Sequence, residues 1–406
     1  MEVSHAETRS QVGWQGTASL PATCGELAQG ALDEVPCLST TRAAPADHLS
    51  KENIVTLATL LSAITPLDEQ AMTAARARQD TLTKPQGSLG RLEALSIQIA
   101  GVSGQPIPHI TNKAIVTMAG DHGVVAEGVS AYPQEVTPQM VANMLAGGAA
   151  INVLARHIGA KVIVVDMGVA ADMAPHPNLI NMKIAHGTNN IARGPAMTRE
   201  QATQAILAGQ AVLEKVRAEG LDIVGTGDMG IGNTTPSAAI AAVFTGKPVA
   251  EIVGRGAGVD DAGLARKRAA VARALAVNQP DPKDALGVLA KVGGYEIAGL
   301  AGLILGAAAR HIPVMVDGFI STAAAMIAVG LAPQVRQYLI AAHRSKELGH
   351  TIMLNWLGLD PLLDIDLRLG EGTGAALGIS LAEASCKILA EMATFDEAGV
   401  SEKEEE

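Results

Sequence analysis

Short apolar runs rich in β-branched residues alternate with helical stretches through the middle of this chain. The runs cover residues 114–118, 162–167, 223–225 and 314–316. Because glycines or charged residues flank them, they are typical of short parallel strands buried on both faces of a sheet. Segments with helical spacing lie between them, at residues 139–158, 236–244, 264–276 and 294–310. This repetition predicts a doubly wound, mostly parallel α/β sheet with ligand loops at the carboxyl ends of its strands.

A helical pattern precedes the predicted sheet, over residues 51–99. Ser50 is a candidate cap for the run 54–64, which Pro66 would end. Asp68 would begin a second helix, because Glu69 and Gln70 follow it in the first turn, where acidic side chains are favoured. Proline and glycine within residues 84–93 then predict a turn.

Composition excludes several classes of protein. Apolar residues make up 48% of the 406 residues, enough for a large core, whereas a net charge of −11 and 2% aromatic residues argue against nucleic-acid binding. The longest apolar run, residues 297–309, is shorter than a membrane span, so none is expected. The N-terminus lacks a signal-peptide pattern, and three widely spaced cysteines suit a reducing compartment. These features predict a cytoplasmic protein.

Two glycine-containing loops follow the first and the third predicted strands. In the first, Asp121 and His122 come directly after a strand. They are a weak candidate for a metal site, because no other histidine or carboxylate lies at a spacing that would complete it. Asp121 could equally contact a substrate or cap the turn. The second, residues 225–237, carries Gly230, Asn233 and Thr234 just before a helix, so its N–H groups could face an anion.

Two more loops could carry chemistry. Residues 253–261 are rich in glycine and precede Lys267, which could offer a charge to a phosphate or simply belong to a solvated basic face. Near the C-terminus, Glu371 lies between Gly370 and Gly372, where a bulky ligand could approach it. Glu371 is therefore either a partly desolvated general base or a carboxylate stabilised by a helix dipole.

Taken together, these segments resemble one family, nicotinate-nucleotide–dimethylbenzimidazole phosphoribosyltransferase, from the lower-ligand branch of cobalamin biosynthesis. The matching pieces run in order across about residues 51–395. They include KPQGSLGRLE (84–93), NIARGPAM (190–197), GTGDMGIGNTTPSAA (225–239), PVMVDGFIS (313–321) and RLGEGTGAAL (368–377). Their combination is far more specific than any one of them.

The resemblance implies a Rossmann-like three-layer fold, a homodimer, and no metal or redox cofactor. Its substrates would be nicotinate mononucleotide and a benzimidazole base. Glu371 falls on the family's catalytic glutamate, which takes a proton from the benzimidazole nitrogen, and Asp228 would stabilise charge near the sugar. Phosphate-binding positions of the family fall on Gly230, Gly256, Ala257, Lys267 and Ser345, and positions lining the base pocket fall on Tyr132, Met140 and Leu369.

Three positions depart from a member of this family. Asp228 stands where that member has glutamate, and Tyr132 and Met140 stand where it has serine and glutamine. A carboxylate is kept, one methylene shorter, but the base pocket is predicted to be less polar. These departures leave the preferred base undetermined, but they do not change the predicted reaction.

Two other activities could use the same loops. The chain could be a nucleoside hydrolase or phosphorylase, with water or phosphate as the nucleophile, or a nucleotide sensor without catalysis. Product analysis with and without dimethylbenzimidazole separates these alternatives.

The domain boundaries are predicted as follows. Residues 1–50 form an irregular extension, within which residues 21–30 resemble the opening strand-turn of GHMP-type kinases, although no phosphate loop of that family follows. Residues 51–400 form the catalytic region, with an α/β body over 111–375 and a small helical subdomain built from 51–110 and the C-terminal helices. Residues 401–406 form an acidic tail.

Overall fold

The fold is seen in a computed structural model that describes residues 55–401. The predicted extension over residues 1–50, with its kinase-like segment, lies outside the described residues, as does the acidic tail after Ser401. Within residues 55–401, no helix is long and apolar enough to cross a membrane.

Six parallel strands form one sheet in the order β3-β2-β1-β4-β5-β6. The order reverses between β1 and β4, and this is the point at which α/β sheets of this topology bind ligands. The strands are β1 (Lys113–Gly120), β2 (Lys161–Gly168), β3 (Leu179–Asn181), β4 (Ile223–Met229), β5 (Val314–Val316) and β6 (Leu339–Ala341).

Fifteen α-helices and two short 3-10 helices, Gly123–Glu127 and Pro333–Tyr338, occur among the described residues. The α-helices are α1 (Leu57–Ser62), α2 (Glu69–Thr81), α3 (Arg91–Ser103), α4 (Val136–Leu145), α5 (Ala150–Ile158), α6 (Arg199–Arg217), α7 (Thr234–Thr245), α8 (Val249–Ile252), α9 (Asp261–Asn278), α10 (Ala285–Val292), α11 (Tyr295–Ala309), α12 (Phe319–Leu331), α13 (His350–Leu357), α14 (Thr373–Glu391) and α15 (Phe395–Ala398).

Alternate strand side chains enter two separate hydrophobic cores, one on each face of the sheet. In β1, Val116 and Met118 join the larger core, whereas Ile115 and Ala119 join the smaller one. Because successive side chains of a strand point to opposite faces, a strand covered by helices on both sides must be apolar throughout. The predicted Rossmann-like, doubly wound three-layer fold is confirmed.

Most predicted elements match the structure, and the differences have local causes. The helical stretch predicted over 139–158 is wrong as one helix, because Gly147 and Gly148 separate α4 from α5. The candidate cap Ser50 lies outside the described residues; the first described helix begins at Leu57, and the hydroxyl of Thr56 accepts the N–H of Thr59. Strands β3 and β6 were not predicted; their sequences, LIN and LIA, contain one β-branched residue each, against two in the equally short β5.

The helices at the two ends of the described region lie against each other. The carboxylate of Asp68 accepts the N–H groups of Gln70 and Ala71, so the predicted start of the second helix is confirmed. Arg78 of α2 donates to the carbonyl oxygen of Leu389 in α14 at 2.6 Å, and Leu82 forms an isolated bridge with Thr394. The small helical subdomain itself stays a prediction.

Glycines allow α6 and α11 to pack with their backbones in contact, beneath β1, β2 and β4. A Cβ atom added to Gly209 of α6 would lie 1.9 Å from the carbonyl oxygen of Gly299, and one added to Gly302 of α11 would lie 1.8 Å from that of Ile206. Since both obstacles are backbone atoms, no side-chain rotation could relieve the clash. The helix that packs under the central strands therefore depends on these glycines.

We expect Gly209→Ala to lower the free energy of unfolding by about 3 kcal/mol, because the extra methyl forces the two helices apart in a close-packed core. Chemical denaturation monitored by circular dichroism measures this loss. Gly194→Ala is the matched control, since a Cβ there meets nothing within 4 Å. A loss at Gly209 no larger than the control's would show that this packing is adjustable.

Candidate active site

A cavity opens at the carboxyl ends of β4, β5 and β6, on one side of the switch point. Eight of the sequence-predicted site residues line it: Asp228, Gly230, Asn233, Thr234, Gly256, Ala257, Ser345 and Leu369. These residues come from four separate stretches of the chain. The fold therefore brings together most of the nucleotide-binding set that the resemblance implied.

Asp228 lies near the end of β4, at the entrance to the glycine loop. Its carboxylate is buried, and Oδ2 accepts a hydrogen bond from Asn233 Nδ2 at 2.9 Å. Oδ1 has no hydrogen-bond partner among the described residues. Because Asp228 also lines the cavity, its carboxyl group is suited to accept a hydrogen bond from a hydroxyl group of a ligand.

A buried cation lies behind two of the lining residues, Thr234 and Gly256. Lys267 is 1% exposed, and its Nζ donates to Thr234 Oγ1 at 2.7 Å. Gly256 lies against both groups, because a Cβ added there would be 2.8 Å from Nζ and 2.9 Å from that hydroxyl. The solvated-face alternative for Lys267 is therefore wrong: α9 turns this one side chain inward.

Burial lowers the pKa of Lys267 to about 8, although the charge of Glu347 opposes that shift. A buried ammonium group with a single neutral hydrogen-bond acceptor is poorly solvated, which makes an anionic ligand favourable beside it. The backbone of Gly256 and Ala257 and the hydroxyl of Ser345 lie on the same cavity. Together they make this end of the cavity suitable for a phosphate.

Glu371 occupies a loop whose three consecutive residues, 370–372, all have positive φ angles. The values are 83° for Gly370, 63° for Glu371 and 98° for Gly372. A non-glycine residue in this region costs about 1–3 kcal/mol, so the surroundings must hold it there. The backbone does so on both sides of the residue: Glu371 N–H donates to Asp228 O at 3.2 Å, and Thr117 Oγ1 donates to Glu371 O at 2.8 Å.

The Glu371 side chain is buried and leans on the N-terminus of α5. It is 4% exposed, and Oε2 accepts the N–H of Ile151 at 3.3 Å. Burial raises the pKa of Glu371, whereas the hydrogen bond from Ile151 opposes the rise. Glu371 does not itself line the cavity, but its neighbours Leu369 and Gly370 do. The carboxylate is therefore desolvated, and the loop that carries it borders the cavity.

Several carboxylates are buried close together beneath the cavity. Burial raises the pKa of Asp228 well above its ordinary value, and the charges of Asp317, Glu296 and Glu371 raise it further. Burial also raises the pKa of Asp317 to about 7. Because like charges cannot all be ionised at low dielectric, this cluster favours a cationic species in the adjoining cavity.

Asp121 and His122 follow β1 but do not line the cavity. His122 Nε2 lies 2.7 Å from Glu296 Oε1, with both side chains buried, and Asp121 Oδ2 accepts the N–H of Ala170 at 2.8 Å. Burial lowers the pKa of His122, but the charge of Glu296 and its hydrogen bond raise it above the ordinary value. This pair lies under Gly230, where a Cβ would be 3.4 Å from His122 Nε2. A substrate contact for either residue stays a prediction.

The three residues predicted to line a base pocket come from different elements: a loop at Tyr132, α4 at Met140 and the Glu371 loop at Leu369. Tyr132 and Leu369 are 52% and 57% exposed, whereas Met140 packs against the smaller core from α4. Leu369 lines the cavity, and Tyr132 and Met140 do not. Their contact with a base stays a prediction.

Four further residues of this site were not singled out from the sequence. Asp317 follows β5 directly, and His343, Glu347 and Arg368 line the cavity. The position of Asp317 at a strand end was a usable signal, because ligand-facing groups gather there. His343 follows β6, which the sequence did not reveal. Among residues 55–401, no group of three or more His, Cys, Asp or Glu side chains could hold a metal ion.

The chain is similar to known proteins over the region that contains these site residues. A family model described as Phosphoribosyltransferase matches residues 64–400. The nicotinate-nucleotide–dimethylbenzimidazole phosphoribosyltransferase of Roseiflexus sp. (strain RS-1) is 63% identical over 349 residues, which cover 86% of this chain and 99% of the relative. The protein of the same name from Geobacter sulfurreducens is 58% identical over 342 residues, covering 84% and 97%.

Solved structures agree with this assignment. The crystal structure of the Thermus thermophilus enzyme of that name superposes with a TM-score of 0.79 at 48% identity, covering 83% of this chain and 100% of the other. The matched region contains the sheet, the cavity and the Glu371 loop. The chain belongs to the nicotinate-nucleotide–dimethylbenzimidazole phosphoribosyltransferase family.

Proposed function

We propose that this chain transfers the phosphoribosyl group of nicotinate mononucleotide to 5,6-dimethylbenzimidazole. The products are α-ribazole 5′-phosphate and nicotinate, and the reaction serves the assembly of the cobalamin nucleotide loop. One observation carries the proposal beyond family membership: a buried carboxylate, Glu371, is held in a strained loop that borders a cavity, and a buried lysine contacts Thr234 in the lining of the same cavity.

The phosphate end of the mononucleotide is anchored first. Lys267 supplies one positive charge, and Gly256 leaves the space that lets a phosphate oxygen approach Nζ and the Thr234 hydroxyl. The N–H groups and hydroxyl of Gly230, Ala257 and Ser345 complete this contact in the proposal. Fixing the phosphate fixes the ribose, so that C1′ is presented to the attacking base in one orientation.

Transfer breaks the bond between C1′ and the pyridinium nitrogen of the nucleotide. The bonding electrons go to that nitrogen, so nicotinate leaves with a neutral ring. A benzimidazole nitrogen forms the new bond from the opposite face, which inverts the configuration at C1′. The buried carboxylates around Asp228 favour the positive charge that develops on the ribose. The Oδ1 atom of Asp228, which has no partner among the described residues, can accept a hydrogen bond from a ribose hydroxyl group.

The attacking base must then lose its remaining N–H proton. Bond formation makes that proton strongly acidic, so the acceptor needs only to be ionised and within hydrogen-bond reach. Glu371 is the proposed acceptor, and because burial raises its pKa, its ionised form is a stronger base than an ordinary glutamate. The base pocket would be completed by Leu369, Tyr132 and Met140, whose largely apolar side chains favour a hydrophobic benzimidazole.

The decisive experiment incubates the purified chain with nicotinate mononucleotide, with and without dimethylbenzimidazole. The expected product is α-ribazole 5′-phosphate, identified by its mass and by the α configuration in its proton NMR spectrum. Release of ribose 5-phosphate without the base would instead show a hydrolase. Binding of the mononucleotide with no turnover would show a sensor.

The buried lysine predicts a pH dependence for nucleotide capture. Since the pKa of Lys267 is lowered to about 8, its charge is present below pH 8 and is lost as the pH rises through that value. We therefore expect kcat/KM for nicotinate mononucleotide to fall about tenfold per pH unit above pH 8. Stopped assays from pH 6.5 to 10 measure the profile. The decline should be absent in Lys267→Met, and a decline that persists there belongs to another group.

Assembly and compartment extend the proposal. We propose a homodimer, supported by large apolar side chains that are more than half exposed near the cavity loops, at Tyr132, Leu348, Ile365 and Leu369. Light scattering coupled to size-exclusion chromatography tests it, and a mass of one chain would contradict it. A cytoplasmic location is supported by the cysteine set, of which Cys386 is a free, buried thiol.

A further inference from the structure

The loop that carries Glu371 is held from below by a carboxylate on a neighbouring strand. Asp317 follows β5, is 1% exposed, and accepts two backbone N–H groups: Gly372 to Oδ2 at 3.3 Å and Ala375 to Oδ1 at 3.0 Å. Gly372 is the residue after Glu371, and Ala375 lies in the first turn of α14. One side chain thus caps α14 and fixes the position at which the Glu371 loop enters it.

The backbone of Asp317 is itself fixed to the sheet. Its N–H donates to Thr226 Oγ1 at 3.1 Å, from the neighbouring strand β4. The carboxylate therefore transmits the rigid geometry of β4 and β5 to a loop in which three residues have positive φ angles. Such a loop persists only where surrounding contacts hold it.

Other groups around Asp317 leave it on the protein side of the cavity. His343 Nδ1 is 3.8 Å from Oδ1, too far for a hydrogen bond, and His343 lines the cavity whereas Asp317 does not. Gly374 makes room for that ring, because a Cβ there would be 1.9 Å from Nδ1. Asp317 is not among the cavity-lining residues, so it can affect a bound substrate only through the residues that it contacts.

We propose that Asp317 is a positioning residue for the transfer reaction, and that it acts by holding Glu371 in the orientation needed to accept the proton from the base. This inference rests on the proposed function, because it needs Glu371 to be the proton acceptor. An amide at position 317 can accept only one of the two N–H groups, since its NH₂ group would face the other donor. The loop would lose one of its supports while the nucleotide end of the cavity stayed unchanged.

The test is a double-mutant cycle between Asp317→Asn and Glu371→Gln, with single-turnover rates and mononucleotide dissociation constants measured for all four proteins. We expect Asp317→Asn to lower the rate at least tenfold while the dissociation constant changes less than threefold. In the Glu371→Gln background, the same substitution should change the rate less than twofold, because the residue it positions is already inactive. Equal losses in both backgrounds, or a loss of affinity with a normal rate, would overturn the inference.

Two more variants guard against a general defect in folding. Thr226→Val keeps the Asp317 charge but removes the hydroxyl that accepts its N–H, so a smaller rate loss with the same dependence on Glu371 is expected. Ser385→Ala on α14, whose hydroxyl donates to Ala382 O far along the helix, should keep the wild-type rate. If the wild-type chain makes no α-ribazole phosphate, the proposed function has failed. If the wild type is active and Asp317→Asn retains its rate, only the positioning role has failed.

Discussion

Glu371→Gln is expected to lower kcat about 10³-fold while leaving the dissociation constant for nicotinate mononucleotide within threefold of the wild-type value. General base catalysis contributes about 10²–10⁴-fold, and the amide cannot accept the benzimidazole proton. Nucleotide binding is spared because the proposed phosphate contacts are made by Lys267 and its neighbours Thr234 and Gly256, none of which is hydrogen-bonded to Glu371. Steady-state kinetics and calorimetric titration measure the two quantities.

The pH profile gives this prediction a second readout. The pKa of Glu371 is raised by burial, so the base is ionised above that raised value and is lost as the pH falls through it. The wild-type kcat/KM should therefore decline on the acid side at a pH above 4.5, and this limb should vanish in Glu371→Gln. Glu383→Gln is the matched control, since Glu383 lies on α14, the helix that follows the Glu371 loop, and pairs with Lys113 and Lys387. Near-normal turnover of Glu371→Gln would remove Glu371 from the base role.

Lys267→Ala is expected to weaken binding of nicotinate mononucleotide by about 10- to 150-fold, with a much smaller change in kcat. Hydrogen bonds to charged groups contribute about 1.5–3 kcal/mol, and each 1.4 kcal/mol corresponds to a factor of about ten in affinity. The variant also leaves the Thr234 hydroxyl without its donor. Calorimetric titration measures the affinity directly.

The phosphate itself supplies the control for Lys267. Nicotinate riboside, which lacks the phosphate, should bind the wild type and Lys267→Ala equally well, because it has no group for the ammonium to contact. Lys247→Ala, at an exposed position, should bind the mononucleotide as the wild type does. An equal loss for riboside and mononucleotide would assign Lys267 to packing rather than to phosphate recognition.

Much of the fold was predictable because its signals are local. The four predicted apolar runs became β1, β2, β4 and β5, and Asp68 caps α2 as its neighbours predicted. The signals failed where an element is held only by its neighbours. Strands β3 and β6 have three residues each, and their pairing with β2 and β5 defines them more than their composition does.

For the active site, the sequence alone determined which candidate functional groups are present: a glutamate between glycines, a lysine after a glycine loop, and an aspartate at a strand end. Whether each side chain faces a ligand or water was decided only by the tertiary structure. Lys267 stands between two arginines in the sequence, yet it is 1% exposed because α9 packs that side inward. Asp317 and His343 joined the site because β5 and β6 end beside β4. Burial, charge coupling and pKa depend on distances between segments remote in the chain, and only the folded packing sets those distances.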